Sequence, residues 1–262
     1  MAVASGAAVG ARVSTRPQFY FYMALLCAVT AIGGFIPTFW APMTQGHYVA
    51  APILAIHGLL FSTWTLFFVL QTWLAASGDI ANHRAAGLFG IALASVMFVF
   101  GLMAAIVEVR RAAAIGQLDG GLSFSILPVW HVTFFATLVA LAIANIRRPD
   151  WHKRLMLVAS IVILDAPLAR LFNYFVVFHG HIPVPAGLPP QPHVLSGIAP
   201  WAYIVDLYLL FPMIYDWRTR GRPHVVTAAG FGFVVLMELL EGPIGRTAAW
   251  HGFASWLVSL AG

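Results

Sequence analysis

Residues 86–108 read AGLFGIALASVMFVFGLMAAIVE, and no charged side chain occurs in this run before Glu108. A helix needs roughly 20 apolar residues to cross the hydrocarbon core of a bilayer, so the run predicts a transmembrane helix. Six other stretches resemble it in length and composition. The seven predicted spans are residues 18–40, 52–76, 86–108, 123–146, 154–178, 199–216 and 224–243. We therefore predict an all-α integral membrane bundle of seven transmembrane helices.

The composition of the whole chain supports this class. Hydrophobic residues make up 61% of the 262 residues and charged residues 9%, whereas soluble domains carry about 25% charged residues. The net charge is +5, but the basic residues lie in short loops between the spans. That distribution predicts contact with a lipid bilayer and no nucleic-acid partner. The single cysteine, Cys27, lies in an apolar run, so we expect a buried thiol.

The distribution of lysine and arginine predicts the orientation of the bundle, because cytoplasmic loops of membrane proteins are enriched in these residues. Ten of them lie in residues 1–17 and in alternate loops from there, and three lie in the other loops. We predict a cytoplasmic tail at residues 1–17, a transmembrane domain at 18–243, and a short interfacial segment at 244–262. The C-terminus is then outside the cell, and the bacterial inner membrane is the expected location.

Two histidines lie near the predicted outer face. His57 is about five residues into the second span and His131 about seven into the fourth, so at 1.5 Å per residue both are roughly 8–12 Å deep. Two imidazoles at one level are suited to axial ligation of a haem iron, or to supplying two ligands of a zinc or iron ion. The alternative is that each ring only bonds a neighbouring helix. Hydroxyl groups that could orient the rings follow each histidine: Ser62, Thr63, Thr65, Thr133 and Thr137.

A second histidine pair lies at the predicted cytoplasmic face. His83 begins the run HRAAG and His152 the run HKRLM, each at the start of a span. These residues are candidates for a second cofactor site. A structural role is also open, because basic runs at this face are expected from lipid headgroups alone.

Ionisable side chains occur near the middle of three spans, where a bare charge is costly. Asp165 and Arg170 lie in the fifth span, Asp206 in the sixth and Glu238 in the seventh. We predict an intramembrane ionic network in which Arg170 pairs with Asp206, or with Asp165 if Pro167 bends the helix. The remaining carboxylates would be protonated, bind a cation or face water in a polar cavity. The alternative is a buried network that only fixes the helix packing.

The longest loop, residues 179–198, is rich in proline and carries no acidic or basic residue. It is expected to be an ordered external loop, or else a lid over the bundle.

Several of these residues carry a resemblance. Gln71, His83-Arg84, Gly87 and the run His152-Lys153-Arg154-Leu155-Met156 resemble a broad group of uncharacterised bacterial polytopic membrane proteins. The arrangement of one histidine on each of the second to fifth spans is similar to the transmembrane two-haem b-type cytochromes. That resemblance implies haem b, with His57 and His131 as one axial pair and His83 and His152 as the other. In those cytochromes the ligands lie within the helices, whereas His83 and His152 lie at helix ends.

Three active functions remain open on these grounds, beside a fourth possibility, an assembly or scaffold subunit whose polar residues are structural. The first is a haem-b redox protein, a membrane oxidoreductase that exchanges electrons with a quinol-like or other small-molecule partner. The second is a seven-helix metal-dependent hydrolase, with zinc or iron bound by His57, His131 and a carboxylate. The third is a proton-linked transporter that uses the midplane carboxylates. For each function, assembly of the chain into a homo-oligomer or into a larger membrane complex also remains open.

Overall fold

The structure is a computed structural model that describes residues 18–48, 50–180 and 199–260. The regular elements within these ranges are all helical, which confirms the predicted all-α class. The α-helices of the described residues are α1 Phe19–Phe35, α2 Ala41–Thr44, α3 Pro52–Ser77, α4 Ile80–Ala114, α5 Leu118–Phe124, α6 Ile126–Ala144, α7 Pro149–Val162, α8 Asp165–Phe172, α9 Ala202–Arg220, α10 Val225–Gly245 and α11 Ala248–Ser259. The predicted tail at 1–17 and nearly all of the predicted loop at 179–198 lie outside the described residues.

Six helical stretches are long and apolar enough to cross a bilayer, as in a multi-pass membrane protein. They are Phe19–Thr44, Pro52–Ser77, Ile80–Ala114, Leu118–Ala144, Pro149–Val177 and Val225–Gly245. The predicted sixth span corresponds to α9, which does not meet this criterion because Asp206, Asp216, Arg218 and Arg220 lie within it. Nevertheless α9 begins beside the end of α8, where the ring centroids of Trp201 and Phe172 lie 5.8 Å apart. It ends beside the start of α7, where Asp216 bonds Arg154.

Two predicted spans are interrupted, each at a position that a proline explains. α7 ends at Val162, directly after Ile161. α8 begins at Asp165, two residues before Pro167. A proline has no N–H for the carbonyl four residues earlier and its ring clashes with that carbonyl, which here belongs to Ile163. In the same way α5 ends at Phe124, four residues before Pro128. The predicted continuous fourth span is therefore two helical segments, and the fifth consists of α7, α8 and a π-helical segment at Asn173–Val177.

The core of the bundle lies between α1, α3, α6 and α7. Trp64 is buried at its centre and packs edge-on against Phe135, with ring centroids 4.9 Å apart. The predicted burial of Cys27 is confirmed, since its side chain is 1% exposed. α1 and α8 touch through backbone, because a Cβ at Gly34 would lie 2.5 Å from the carbonyl oxygen of Pro167. This close approach holds the segment that carries Asp165 and Arg170 against α1.

The helices define two ends of the bundle. The junctions α3–α4, α6–α7 and α9–α10 lie together at one end, where Arg84, Arg147, Arg148 and Lys153 also lie, and we call it the basic end. The other end we call the cavity end. There α11 packs on α5, and the indole N–H of Trp250 donates to the Leu122 carbonyl oxygen at 3.0 Å.

Candidate functional site

The histidine pair at the basic end is brought together by the fold. His83 lies in the first turn of α4 and His152 in the first turn of α7. Their ring centroids are 6.3 Å apart and the ring planes are perpendicular, at 89°. The sequence predicted that these two residues share a depth, and the structure confirms that they are neighbours.

Each ring of this basic-end pair is oriented by the helix that precedes its own. His83 Nδ1 lies 3.2 Å from the Gln71 carbonyl oxygen on α3, and His152 Nδ1 lies 2.9 Å from the Ala142 carbonyl oxygen on α6. A carbonyl oxygen only accepts hydrogen bonds, so each neutral ring carries its proton on Nδ1. The lone pair is then on Nε2, which is the arrangement found in most histidines that bind metals or haem iron.

Two features beside His83 and His152 suit a bound group: open space next to Gly87 and polar atoms without a partner on Gln71. Gly87 lies one turn after His83 on the same face of α4, and a Cβ there would meet no atom within 4 Å. The side-chain amide of Gln71 is buried, and neither its nitrogen nor its oxygen has a hydrogen-bond partner among the described residues. Buried polar atoms are normally paired, so an unpaired amide beside two oriented histidines is suited to a ligand.

His57 and His131 also share a site, since both line one cavity of about 250 Å³ near the cavity end. Most of its wall is apolar or aromatic. The two rings differ in the hydrogen-bond partners of Nδ1. His131 Nδ1 lies 2.8 Å from the Leu127 carbonyl oxygen and 4.0 Å from Glu241 Oε1. His57 Nδ1 is buried without a hydrogen-bond partner in the described chain, and its ring lies against Phe61.

The hydroxyl groups expected to orient these two rings do not do so. Ser62, Thr63, Thr65, Thr133 and Thr137 each donate to a carbonyl oxygen three or four residues earlier in their own helix. Such bonds satisfy a hydroxyl locally in an apolar environment. His83 and His152 each have Nδ1 bonded to a carbonyl oxygen, whereas the His57 ring is bonded to the Phe100 backbone and keeps Nδ1 without a partner in the described chain.

The predicted pairing of Arg170 with Asp206 or Asp165 is wrong. No carboxylate of the described residues lies within 4.0 Å of the Arg170 guanidinium. Its Nη1 donates to Thr38 Oγ1 at 3.5 Å, and its nearest acidic neighbour electrostatically is Glu108. The groups that interact with Arg170 are Phe35 at the end of α1, Thr38 just after it, and Glu108 on α4.

The carboxylates that were expected to join Arg170 form a separate group. Asp165, Glu238 and Glu241 interact electrostatically with His131, and Asp206 with Glu238. One oxygen of each of three of these side chains is buried and unpaired among the described residues: Asp206 Oδ1, Glu238 Oε2 and Glu241 Oε1. Asp165 and His131 line the same cavity as Arg170, but no ion pair in the described residues joins the guanidinium to these carboxylates.

The strongest buried ion pair in the described residues involves two residues that sequence reasoning did not select. Arg154 is 2% exposed and Asp216 is fully buried. Arg154 Nε donates to Asp216 Oδ2 at 2.9 Å, and its Nη2 donates to Oδ1. Asp216 also accepts from Thr227 Oγ1 at 3.2 Å. The pair joins α7, α9 and α10 at the basic end. From the sequence, Arg154 was interpreted as a basic residue of a cytoplasmic loop and as part of the run His152-Lys153-Arg154-Leu155-Met156, and no partner was predicted for it.

His224 lies at the same end but serves the backbone. It caps α10, with Nδ1 accepting from the Val226 N–H at 3.1 Å. Burial lowers its pKa, and the positive charges of Arg154 and Arg220 lower it further. A neutral ring with Nδ1 as acceptor fits both observations, so His224 provides a comparison for the two histidines with protonated Nδ1.

The described residues contain no group of three or more His, Cys, Asp or Glu side chains arranged to hold a metal ion. The chain matches no protein-family model, no curated protein and no solved structure. The candidate sites therefore rest on their own geometry, which defines a helical membrane protein with a paired histidine site at one end and a polar cavity near the other.

Proposed function

We propose that this protein is a membrane-embedded redox protein that holds one haem b between His83 and His152. The observation that carries the proposal is the arrangement of these two rings, 6.3 Å apart with each Nδ1 bonded to a backbone carbonyl. Because a histidine–metal bond is about 2.0–2.1 Å long, the Nε2 atoms of His83 and His152 would be the two protein ligands of one iron ion. A haem iron held by two histidines changes oxidation state and so carries one electron.

The chain supplies binding, orientation and charge compensation at this site. The carbonyl oxygens of Gln71 and Ala142 hold the ring tautomers, and Gly87 leaves open space beside His83. The unpaired Gln71 amide offers both a donor and an acceptor. Arg84, exposed next to His83, offers a positive charge to the carboxylate groups that haem b carries.

The test is an absorption spectrum of the protein purified in a mild detergent after expression with added haem precursor. The proposal predicts a Soret band and, by pyridine haemochrome assay, one haem b per chain. His83→Ala and His152→Ala are each expected to remove at least nine tenths of this absorbance, since a bis-histidine site does not persist with one ligand. His57→Ala is expected to keep it.

The matched control is His224→Asn, a histidine change at the same end of the bundle that retains a helix-capping side chain. It should leave the haem content unchanged. A parent protein without a Soret band, or a His83→Ala protein with full haem content, would contradict the proposal.

A proton-linked transporter is the second candidate, favoured by the buried carboxylate oxygens of Asp206, Glu238 and Glu241 that have no partner within the described chain. Carboxylates in that state bind and release protons when water reaches them. The transporter needs no absorbing cofactor, so the same spectrum separates the two candidates. A metal-dependent hydrolase has no comparable support among the described side chains, because no three-ligand group is assembled.

For the topology, we propose that α9 is a seventh crossing, that the basic end faces the cytoplasm, and that the membrane is the bacterial inner membrane. The excess of lysine and arginine at the basic end supports this orientation. Starting from a Cys27→Ala background, Gln45→Cys is expected to react with an impermeant maleimide in intact cells, and Arg222→Cys only after lysis. Both positions are exposed. The reverse labelling pattern would invert the orientation.

A further inference from the structure

Arg170 is a partly buried cation that lines a cavity and forms no close ion pair with a carboxylate of the described residues. It lines the same cavity as His57, and no carboxylate in the described part of the chain comes within 4.0 Å of its guanidinium. Two carboxylates line the cavity as well, and each has another partner: Glu108 pairs with Arg111, whose Nη1 lies 3.6 Å from Glu108 Oε1, and Asp165 interacts electrostatically with His131. The negative charge of Glu108 acts on Arg170 from a distance, but no ion pair within the described residues neutralises the guanidinium. An unpaired charge in an apolar interior is costly, which favours a bound anion.

The free edge of the guanidinium indicates what shape of anion fits. Nη1 is directed to Thr38 Oγ1 at 3.5 Å, and one face of the group lies 5.0 Å from the centre of the Phe35 ring. Nε is buried and has no partner in the described chain. The Nε–Nη2 edge is thus the one left for a ligand, and two parallel N–H donors on one edge match the two oxygens of a carboxylate.

The rest of the cavity fits an apolar chain attached to that anion. Its walls include Phe35, Phe39, Leu54, Phe61 and Val132, and its volume is about 250 Å³. Ligand pockets for larger molecules are roughly 300–1,000 Å³, so this one suits a single chain of medium length better than a two-tailed phospholipid. His57 Nδ1 is a second buried atom without a partner in the described residues. An imidazole nitrogen can donate to or accept from an acid head group.

The field of Arg170 reaches the cavity rim. Tyr48 lies in the connection between α2 and α3 and lines the cavity. Burial raises the pKa of its hydroxyl, while the positive charge of Arg170 acts to lower it. An anion in the cavity would therefore meet a positive charge and, on the same wall, a hydroxyl that keeps its proton and can donate a hydrogen bond.

We propose that the cavity lined by Arg170 and His57 binds a single-chain amphipathic carboxylate, with the carboxylate on the Nε–Nη2 edge of Arg170 and the alkyl chain against the aromatic wall. The site lies near the cavity end and shares no residue with the His83–His152 pair, so the proposal does not depend on haem binding.

The experiment measures binding of radiolabelled decanoate to the protein in phosphatidylcholine nanodiscs, with empty nanodiscs subtracted. Saturable binding at one site per chain is expected. Arg170→Gln should weaken it at least tenfold, because the charge and the fork of donors are both lost. The affinity of Arg170→Lys for decanoate should lie between those of the parent and of Arg170→Gln, because lysine keeps the charge but not the fork of donors. Glu108→Gln should tighten binding several-fold, because it removes a negative charge from the cavity wall.

The control is Arg110→Gln. Arg110 lies on α4, the helix that carries Glu108, and its side chain donates to the Val258 carbonyl oxygen of α11. It should bind decanoate as the parent does. Tightening by Glu108→Gln cannot arise from misfolding, so the test stands even if Arg170→Gln folds poorly. Equal competition by 1-decanol, tighter binding of decyl phosphate, unchanged affinity in Arg170→Gln, or weaker affinity in Glu108→Gln would each overturn the assignment of a carboxylate ligand.

Discussion

Arg154→Met is expected to lower the free energy of unfolding by about 3–5 kcal/mol, the range observed when one partner of a buried ion pair is removed. The substitution leaves the carboxylate of Asp216 buried, with 0% of its side chain exposed. Two weaker donors remain to it, the His224 N–H at 3.3 Å and Thr227 Oγ1 at 3.2 Å. Neither carries a charge that offsets the lost guanidinium.

The measurement is reversible unfolding in mixed micelles. Lys153→Gln is the adjacent control: Lys153 pairs with Asp150 at 2.9 Å, but both side chains are substantially exposed. Exposed pairs contribute about 0–1 kcal/mol, so this change should be small. The double variant Arg154→Met, Asp216→Leu should recover most of the lost stability, because no unpaired charge remains. If the double variant is as unstable as the single one, the cost is lost packing and not the uncompensated carboxylate.

Trp64→Ala is expected to cost a similar amount, about 3–5 kcal/mol, because it removes a large buried side chain and leaves a cavity. Trp64 is 1% exposed. Its ring packs at 86° against Phe135, and its indole N–H donates to Ser160 Oγ at 3.3 Å. The residue therefore holds α3 against both α6 and α7, and its loss also leaves the buried Ser160 hydroxyl without this partner.

Two variants on the same helix separate these contributions. Trp73→Ala removes an indole that is 51% exposed, and in a bilayer it should change the stability by less than about 1 kcal/mol. Trp64→Phe keeps most of the packing volume and loses the hydrogen bond to Ser160, so its cost should fall between the two. Equal losses from Trp64→Ala and Trp73→Ala would contradict the placement of the core between α3, α6 and α7.

Local composition was sufficient to predict the helical class and the apolar stretches. Whether a helix can lie in hydrocarbon depends on the length and the apolar composition of a stretch of about 18 or more residues, and contacts with distant residues do not affect either property. The depth of each histidine follows from its position in such a stretch, which is why the proximity of His83 and His152 could be predicted. The interruptions before Pro167 and Pro128 had a local signal as well, since proline removes a hydrogen bond four residues earlier.

Only the tertiary structure decided which charged groups meet. The partner of Arg154 lies 62 residues away in α9, and the abundance of lysine and arginine near the basic end gave Arg154 an adequate explanation as a loop residue. Arg170 was assigned to Asp206 because both lie near the middle of their spans. Depth, however, does not specify the rotation of a helix about its axis, and α8 is held close to α1 at Gly34 by a contact that its own sequence does not reveal. Sequence thus determined the level at which each polar side chain lies in the membrane. Helix packing determined the direction in which it points, because the contacts that fix rotation are made between segments far apart in the chain.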